Sequence, residues 1–374
     1  MKVAVFAEAL WPWGEGGGEL ATYLYAVGLR ELGAQVRVFV RRGGPPPRGL
    51  EVVELGGAGT RKFHVPPLAA RRALEWADVA YFASAYWELI PLAKRVGRKA
   101  VVHLHSYEPA CPMGTLYNWG AGSVCRAEER RCWSCIWHTE RALGRSILRA
   151  LASQAANVPA APLFVRALRS ADAAVFVSEA QRRLLVAHAR DLPKSYVLYN
   201  PAPRLSYSPP AGRGIGYFGG LNPLKGYRVL LEAWRRLGLD GELHMTRAEG
   251  LRDPLRGVRV YGSLSPEELD SLYLKIWAVA VPSIWEEPFS YVALEGLVRG
   301  RLVVASKAGG LPEVLEGAPG TFLVPRGDPA ALAEALERSL EADAEELGAK
   351  NREVALRRFD GLRQAEKLMR IMES

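Results

Sequence analysis

Apolar residues gather in short runs along this chain, and the stretches between them carry apolar residues three or four apart. Val3 to Phe6, Gln35 to Val40, Val79 to Phe82, Ala100 to Leu104, Ala173 to Val177 and Tyr196 to Leu198 read as strands. Leu20 to Leu32, Arg71 to Trp76, Trp87 to Val96 and Glu179 to Ala189 read as the helices between them. This alternation predicts a parallel sheet with helices on both faces.

A stretch rich in Pro and Gly, Pro201 to Gly214, interrupts the pattern and predicts a domain boundary. The alternation then restarts. Strands are expected at Ile215 to Phe218, Leu243 to Met245, Val258 to Tyr261, Ala278 to Val281, Leu302 to Ala305 and Thr321 to Val324. Helices are expected at Tyr227 to Arg236, Pro266 to Leu274, Tyr291 to Val298 and Pro329 to Leu340, with a charged helical segment from Glu345 to Met372. The fold class is therefore α/β, with two doubly wound, Rossmann-like domains facing a central cleft. The division expected is 1–207 and 208–357. Within the first lies an irregular, cysteine-containing loop, 106–138, and a last helix at 358–374 packs back on that domain.

At 374 residues, two domains of ordinary size are expected. Hydrophobic residues make up 49% and charged residues 24%, a globular balance. No apolar run approaches the roughly 18 residues that span a bilayer, and the first is too short for a signal peptide. The cytoplasm is the expected address. The net charge of +9 fits nucleic acid, an anionic membrane or a phosphate-bearing substrate. Arginines spread along the chain, with no basic tail and no basic-aromatic motif, exclude nucleic acid as the first choice. Asn and Gln are scarce, which suits either a thermophile or a GC-rich genome.

The chemistry concentrates in the second half. Gly219-Gly220-Leu221-Asn222-Pro223-Leu224-Lys225-Gly226 lies between a strand and a helix. Such a turn lets backbone approach a phosphate, the helix start favours its charge, and Lys225 adds a cation. A plain turn with a surface lysine is the bland alternative. Glu287 and Glu295 then stand eight apart in Glu287-Pro288-Phe289-Ser290-Tyr291-Val292-Ala293-Leu294-Glu295. Pro288 is tolerated near a helix start, and Glu295 is expected about two turns into that helix. Two carboxylates can accept from hydroxyls while free backbone N–H groups take a phosphate. A sugar, a ribose and a diphosphate supply those partners; ordinary surface glutamates are the alternative.

This segment resembles the Glu-x7-Glu motif of glycosyltransferase family 4, whose fold is GT-B. Val260-Tyr261-Gly262-Ser263-Leu264-Ser265-Pro266-Glu267-Glu268-Leu269 and Ala308-Gly309-Gly310-Leu311-Pro312-Glu313-Val314 are similar to that family's flanking blocks. The resemblance covers nearly the whole second domain. It implies that Glu287 contacts donor-sugar hydroxyls and that Phe289, Ser290 and Tyr291, following Pro288, present backbone N–H groups. Glu295 would bind the ribose, Lys225 the diphosphate, and Ser263 would lie near the base. One departure stands out: the family carries Arg after the first glycine of the phosphate loop, and this chain has Gly220. Either another Arg substitutes or the donor is held less tightly.

In the first half, Gly14-Glu15-Gly16-Gly17-Gly18-Glu19 resembles the family's glycine-rich loop, with Gly17 and Gly18 toward the donor phosphates. His105 aligns with a family histidine near the reaction centre. His103 shares its strand face and competes; a structural histidine is the alternative. Ser178-Glu179-Ala180 also matches the family. Cys111, Cys125, Cys132 and Cys135 include a Cys-x2-Cys pair, compatible with structural zinc, an iron–sulfur cluster or two disulfides. Arg141, Arg145 and Arg149, beside Leu143, Ile147, Leu148 and Leu151, are expected on one face of a helix, either solvated or lying on an anionic membrane.

Together the resemblance implies a retaining glycosyltransferase. It would move a sugar from a nucleotide sugar, UDP- or GDP-linked, to a glycan, lipid-linked or small-molecule acceptor. His105, Glu287 and Lys225 are the catalytic candidates. No Asp-x-Asp pair stands where it would hold a catalytic metal, so no catalytic cofactor is expected. The rival readings are an epimerase of the same architecture and a non-catalytic nucleotide-sugar or glycan binding protein. The expected location is cytoplasmic, with peripheral contact to the inner membrane face.

Overall fold

The computed structural model describes the chain except residues 15, 45–46, 48, 57, 61–62, 66–67, 127–130, 143, 190, 239–240 and 253, and the side chains of 58–60 and 63–65. Glu15 of the glycine-rich loop and Leu143 lie outside the described residues. The chain forms two compact units. The first holds Met1–Pro201 and Gly361–Ser374, the second Ala202–Asp360. The division follows Pro201 rather than residue 207.

The first unit is built on seven parallel strands in the order Lys194–Val197, Ala173–Phe176, Lys99–Leu104, Val79–Phe82, Lys2–Ala7, Gln35–Val40 and Glu51–Glu54. Val5 pairs with Tyr81 on one side and Val38 on the other. All three are buried, together with Val3, Val101 and Val175. Strands covered by helices on both faces have no solvent side, which is why their sequences run apolar without alternation. Helix Gly17–Glu31 covers this sheet through Tyr25, Ala26 and Leu29. The final helix, Gly361–Glu373, packs on it. A β-carbon at Gly28 would stand 2.6 Å from Ala365 Cβ, so a glycine there permits the close approach.

The second unit carries six parallel strands in the order Val258–Val260, Leu243–Met245, Gly214–Tyr217, Ile276–Val281, Leu302–Ser306 and Thr321–Val324. Helices Tyr227–Leu237 and Pro329–Glu341 cover one face through Leu230, Trp234, Leu332 and Leu336. Both units are thus Rossmann-like, as the alternation implies.

The local reading changes in four places. The segment Glu345 to Met372 is two helices, Ala344–Arg358 and Gly361–Glu373, because Phe359 turns inward, fully buried against Phe289. Trp87 to Val96 is a 3-10 turn followed by helix Ile90–Arg95, led in by Tyr86 at φ 60°. The irregular loop ends before Cys132, where helix Cys132–Ala142 begins and carries Cys132 and Cys135. Arg141, Arg145 and Arg149 do not share one helix. Gly144 at φ +70° breaks it, and Ser146 caps a new helix, Ile147–Asn157, by accepting from the Arg149 N–H.

Candidate functional site

In the second unit, the residues singled out by sequence collect on the loops that leave the C-terminal edge of the sheet. That edge is where open α/β sheets place their ligands. Taken along the sheet, the loops bring Ser263, Arg247, Gly219–Gly220, Ser283–Glu287, Gly309 and Arg326.

The glycine turn is built for close approach. Gly220 adopts φ +60° and Gly226 φ +79°, both in the left-handed region. A β-carbon on Gly226 would lie 1.8 Å from the Pro282 carbonyl oxygen, so no other residue fits. Asn222 caps the intervening 3-10 turn, Pro223–Lys225, by accepting from the Leu224 N–H at 3.0 Å. This packing sends Lys225 toward the next loop. Its Nζ donates to Glu287 Oε1 at 2.6 Å, and the Ser283 hydroxyl donates to the same oxygen at 2.7 Å. Glu287 is 2% exposed. A buried carboxylate needs such partners, since an unpaired charge there would be costly. The Lys225 ammonium also stands 5.4 Å from the Trp285 ring centre.

Glu287 is held from behind by backbone. Its carbonyl accepts from the Gly310 N–H at 2.7 Å, and Gly309 at φ +56° comes so close that a β-carbon would fall 2.2 Å from that oxygen. Glu286 accepts from the Gly309 N–H at 2.6 Å and pairs with Arg326 at 2.6 Å. Ser283, Glu286 and Arg326 are supports that sequence reasoning missed. The block Ala308 to Val314 was visible, but its backbone contact with Glu287 was not.

The helix after Glu287 is Tyr291–Val298, capped by Ser290, whose hydroxyl accepts from the Ala293 N–H at 3.3 Å. It starts beyond Pro288, so Glu295 stands little more than one turn in, not two. Phe289 is buried against Tyr291 and Phe359, which orients the backbone before the cap. Desolvation pushes the half-buried Glu295 carboxyl up to about 7, opposed by Arg299. Burial and the nearby Glu287 carboxylate push the Tyr217 phenol well up.

Gly220 has a neighbour that the sequence does not announce. A β-carbon built there would lie 3.5 Å from Arg247 Cβ. Arg247 is exposed and adopts φ 53°, rare for a residue with a side chain. Its N–H donates to the Gly262 carbonyl at 3.1 Å, which ties this loop to the one bearing exposed Ser263.

Gly17, Gly18 and His105 belong to the first unit. Gly17 opens helix Gly17–Glu31, and a β-carbon on Gly18 would come 3.1 Å from His105 Cβ. His103 and His105 stack with ring centres 4.4 Å apart. They differ in partners: His103 Nδ1 meets the Tyr81 hydroxyl at 2.7 Å, whereas neither ring nitrogen of His105 has a hydrogen-bond partner among the described residues. Burial lowers His105 to about 4, so the ring is neutral near pH 7. Ser178 caps helix Glu179–His188, and Gln181 donates to the carbonyls of Leu104 and Ser106 at 3.0 and 3.1 Å. Gln181 thus fixes the backbone on both sides of His105.

Cys111, Cys125, Cys132 and Cys135 line one cavity of the first unit with Tyr117 and Arg131. Burial raises the Cys135 thiol. Among the described residues no three His, Cys, Asp or Glu are drawn together closely enough to hold a metal ion.

Comparison with known proteins agrees with this layout. Residues 212–342 match the family described as glycosyl transferases group 1, and residues 16–201 match the glycosyl transferase 4-like domain. A D-inositol 3-phosphate glycosyltransferase of Corynebacterium jeikeium is 37% identical over 143 residues, covering 33% of this chain and 34% of that protein. A lipopolysaccharide 1,2-N-acetylglucosaminetransferase of Salmonella typhimurium is 32% identical over 128 residues, covering 29% and 34%. The matched segment is thus about a third of either relative's length. The crystal structure of Anabaena Alr3699/HepE in complex with UDP and glucose superposes over 100% of both chains, with a TM-score of 0.72 and 19% identity, a likeness of fold. Two Rossmann-like units, each matching its own part of one family, place this chain among the family 4-type glycosyltransferases of GT-B fold.

Proposed function

We propose that this chain is a retaining glycosyltransferase that takes its sugar from a nucleoside diphosphate sugar, with UDP as the carrier. The observation that carries the reading is the Lys225–Glu287–Ser283 cluster at a sheet edge, followed by a helix N-terminus and Glu295. A diphosphate fits the glycine turn and the positive N-terminal end of helix Tyr291–Val298. Glu295 would accept from ribose hydroxyls, and Glu287 from sugar hydroxyls. Relatives bearing glycosyltransferase names and a fold neighbour seen with UDP support the assignment.

In the proposed reaction the bond from the anomeric carbon to the β-phosphate oxygen breaks. The acceptor oxygen bonds to that carbon on the same face, and its proton passes to the departing phosphate oxygen. Charge grows on the leaving diphosphate, where Lys225, the helix N-terminus and Arg247 would stabilise it. Arg247 would stand in for the cation missing at Gly220, because side chains at the two positions start from nearly the same place. A neutral His105 suits hydrogen bonding to sugar hydroxyls better than carrying a charge. The cysteine cavity is proposed as a structural feature of the first unit, apart from the donor chemistry.

Calorimetric titration with UDP, GDP and ADP tests the reading. UDP should bind most tightly, and Glu295→Ala should weaken it at least about tenfold through the lost ribose contact. Absence of binding by all three would overturn it.

A further inference from the structure

Helix Ile147–Asn157 presents an apolar face to solvent. At about 100° per residue, Ile147, Leu151, Ala155, Leu148 and Ala152 follow one another around one side, and all five are exposed. Ile147 is 55%, Leu148 79% and Leu151 46% accessible. The side adjoining Ile147 buries Ala150 and Gln154, and Gln154 Nε2 donates to the Trp133 carbonyl at 2.8 Å on helix Cys132–Ala142. The Trp133 side chain is itself exposed, as is Leu163 on the following helix, Ala160–Leu168. Scattered surface leucines need no explanation, but a continuous helical face does.

The segment that carries this face is charged in one sign. From Arg141 to Ala171 the chain has five arginines and no Asp or Glu. Arg145 pairs with buried Glu140, and Arg169 reaches Asp191 at 3.6 Å. Arg141, Arg149 and Arg166 are exposed, with Arg149 at the rim of the apolar face. A second copy of the chain docking face to face would set this arginine rim against itself, which like charges disfavour. A bilayer with anionic headgroups meets both requirements at once. No helix among the described residues is long and apolar enough to cross a membrane, so the contact would lie on the surface.

We propose that this surface docks on an anionic lipid bilayer, with the apolar face of helix Ile147–Asn157 seated in the interface and the arginines against the headgroups. An exposed tryptophan on the neighbouring helix fits the same boundary. The proposal goes beyond the donor-site reading and does not rest on it.

The test is co-sedimentation of the full chain with vesicles of phosphatidylcholine, alone or mixed with phosphatidylglycerol, at low and high salt. Binding is expected only to the mixed vesicles and should weaken as salt rises. Leu148→Glu with Leu151→Glu should lower partitioning at least about tenfold, while circular dichroism and UDP affinity stay unchanged, since both side chains are exposed. Failure to sediment with the mixed vesicles overturns the proposal, as does sedimentation that the double variant leaves intact. A dimer in solution that the same variant dissolves overturns it in favour of a second copy.

Discussion

Lys225 and Glu287 meet at 2.6 Å across two loops that are far apart in sequence. The glutamate is 2% exposed at its side chain and the lysine 33%, so the pair sits half in water. The Ser283 hydroxyl donates to the same carboxylate oxygen at 2.7 Å. Lys225→Met would leave a buried carboxylate one partner short, a cost of about 1–3 kcal/mol. Thermal denaturation should therefore show a lower midpoint for Lys225→Met. The double variant Lys225→Met with Glu287→Gln should recover much of it, because a neutral amide tolerates the loss. UDP affinity should recover in neither. Equal stability of wild type and Lys225→Met would show that the pair is not structural.

Glu295 gives a pH dependence with a defined sign. Its carboxyl is pushed up to about 7 from the ordinary 4.5, chiefly by desolvation. The folded state therefore holds a proton that the unfolded chain releases, and ionisation destabilises the fold. Below about 4.5 this penalty is absent; it grows as pH climbs toward 7 and is complete above it. Without nucleotide, the wild type should lose melting temperature from pH 5 to 7.5 relative to Glu295→Gln. Ribose hydroxyls bond more strongly to the ionised form. UDP affinity should then rise from pH 6 to 8 in wild type and stay flatter in Glu295→Gln. Parallel pH profiles in the two proteins would remove Glu295 from the nucleotide site.

Much of this arrangement could be read before any coordinates. The strands Val3 to Phe6 and Ala278 to Val281 are visible because burial on both faces leaves them no polar positions. Glu287, Glu295 and Lys225 stand in local motifs, and local spacing survives without a fold. Other features exist only once strands are neighbours. Nothing in the chain says that Gly226 touches Pro282, that Arg326 holds Glu286, or that Arg247 lies beside Gly220. Helix Cys132–Ala142 went unread because the glycines and prolines before it point to a loop, and helix Ile147–Asn157 was displaced because its break depends on Gly144.

Gly226 tests the turn itself. Gly226→Ala must meet the Pro282 carbonyl and accept φ +79°. The backbone conformation alone costs roughly 1–2 kcal/mol, and the collision adds to it. Chemical denaturation should show at least that loss. Since Lys225 precedes Gly226, UDP affinity should fall as well. If Gly226→Ala is as stable as wild type, the close approach of the two loops is wrong.

Arg247 bears on how the donor is gripped. Its β-carbon starts 3.5 Å from where one on Gly220 would stand, and Lys225 is already shared with Glu287. Arg247→Met should weaken UDP about tenfold, the usual weight of a lost charge-assisted contact. Uridine, which lacks phosphates, should bind both proteins alike. Arg247→Lys should restore part of the affinity, and raising salt should narrow the gap between wild type and Arg247→Met. If uridine and UDP lose affinity equally, Arg247 shapes the pocket and does not neutralise the diphosphate.

The four cysteines invite a test in the other unit. They line one cavity, and burial raises the Cys135 thiol, which disfavours its thiolate. A structural role predicts that Cys132→Ser with Cys135→Ser lowers the melting temperature. It should leave UDP affinity intact, because the donor loops belong to the second unit. Both thiols are half-buried in the cavity wall and Cys135 Sγ donates to the Tyr117 carbonyl at 3.5 Å, so a smaller, more polar hydroxyl at each position forfeits packing. Elemental analysis and thiol titration of anaerobically purified protein would accompany the melting curves. Stoichiometric zinc or iron would mean that the segment closes around a metal, and two thiols fewer per disulfide would mean that it closes by oxidation. Four free thiols, no metal and an unchanged melting temperature would show that the cavity carries no structural load.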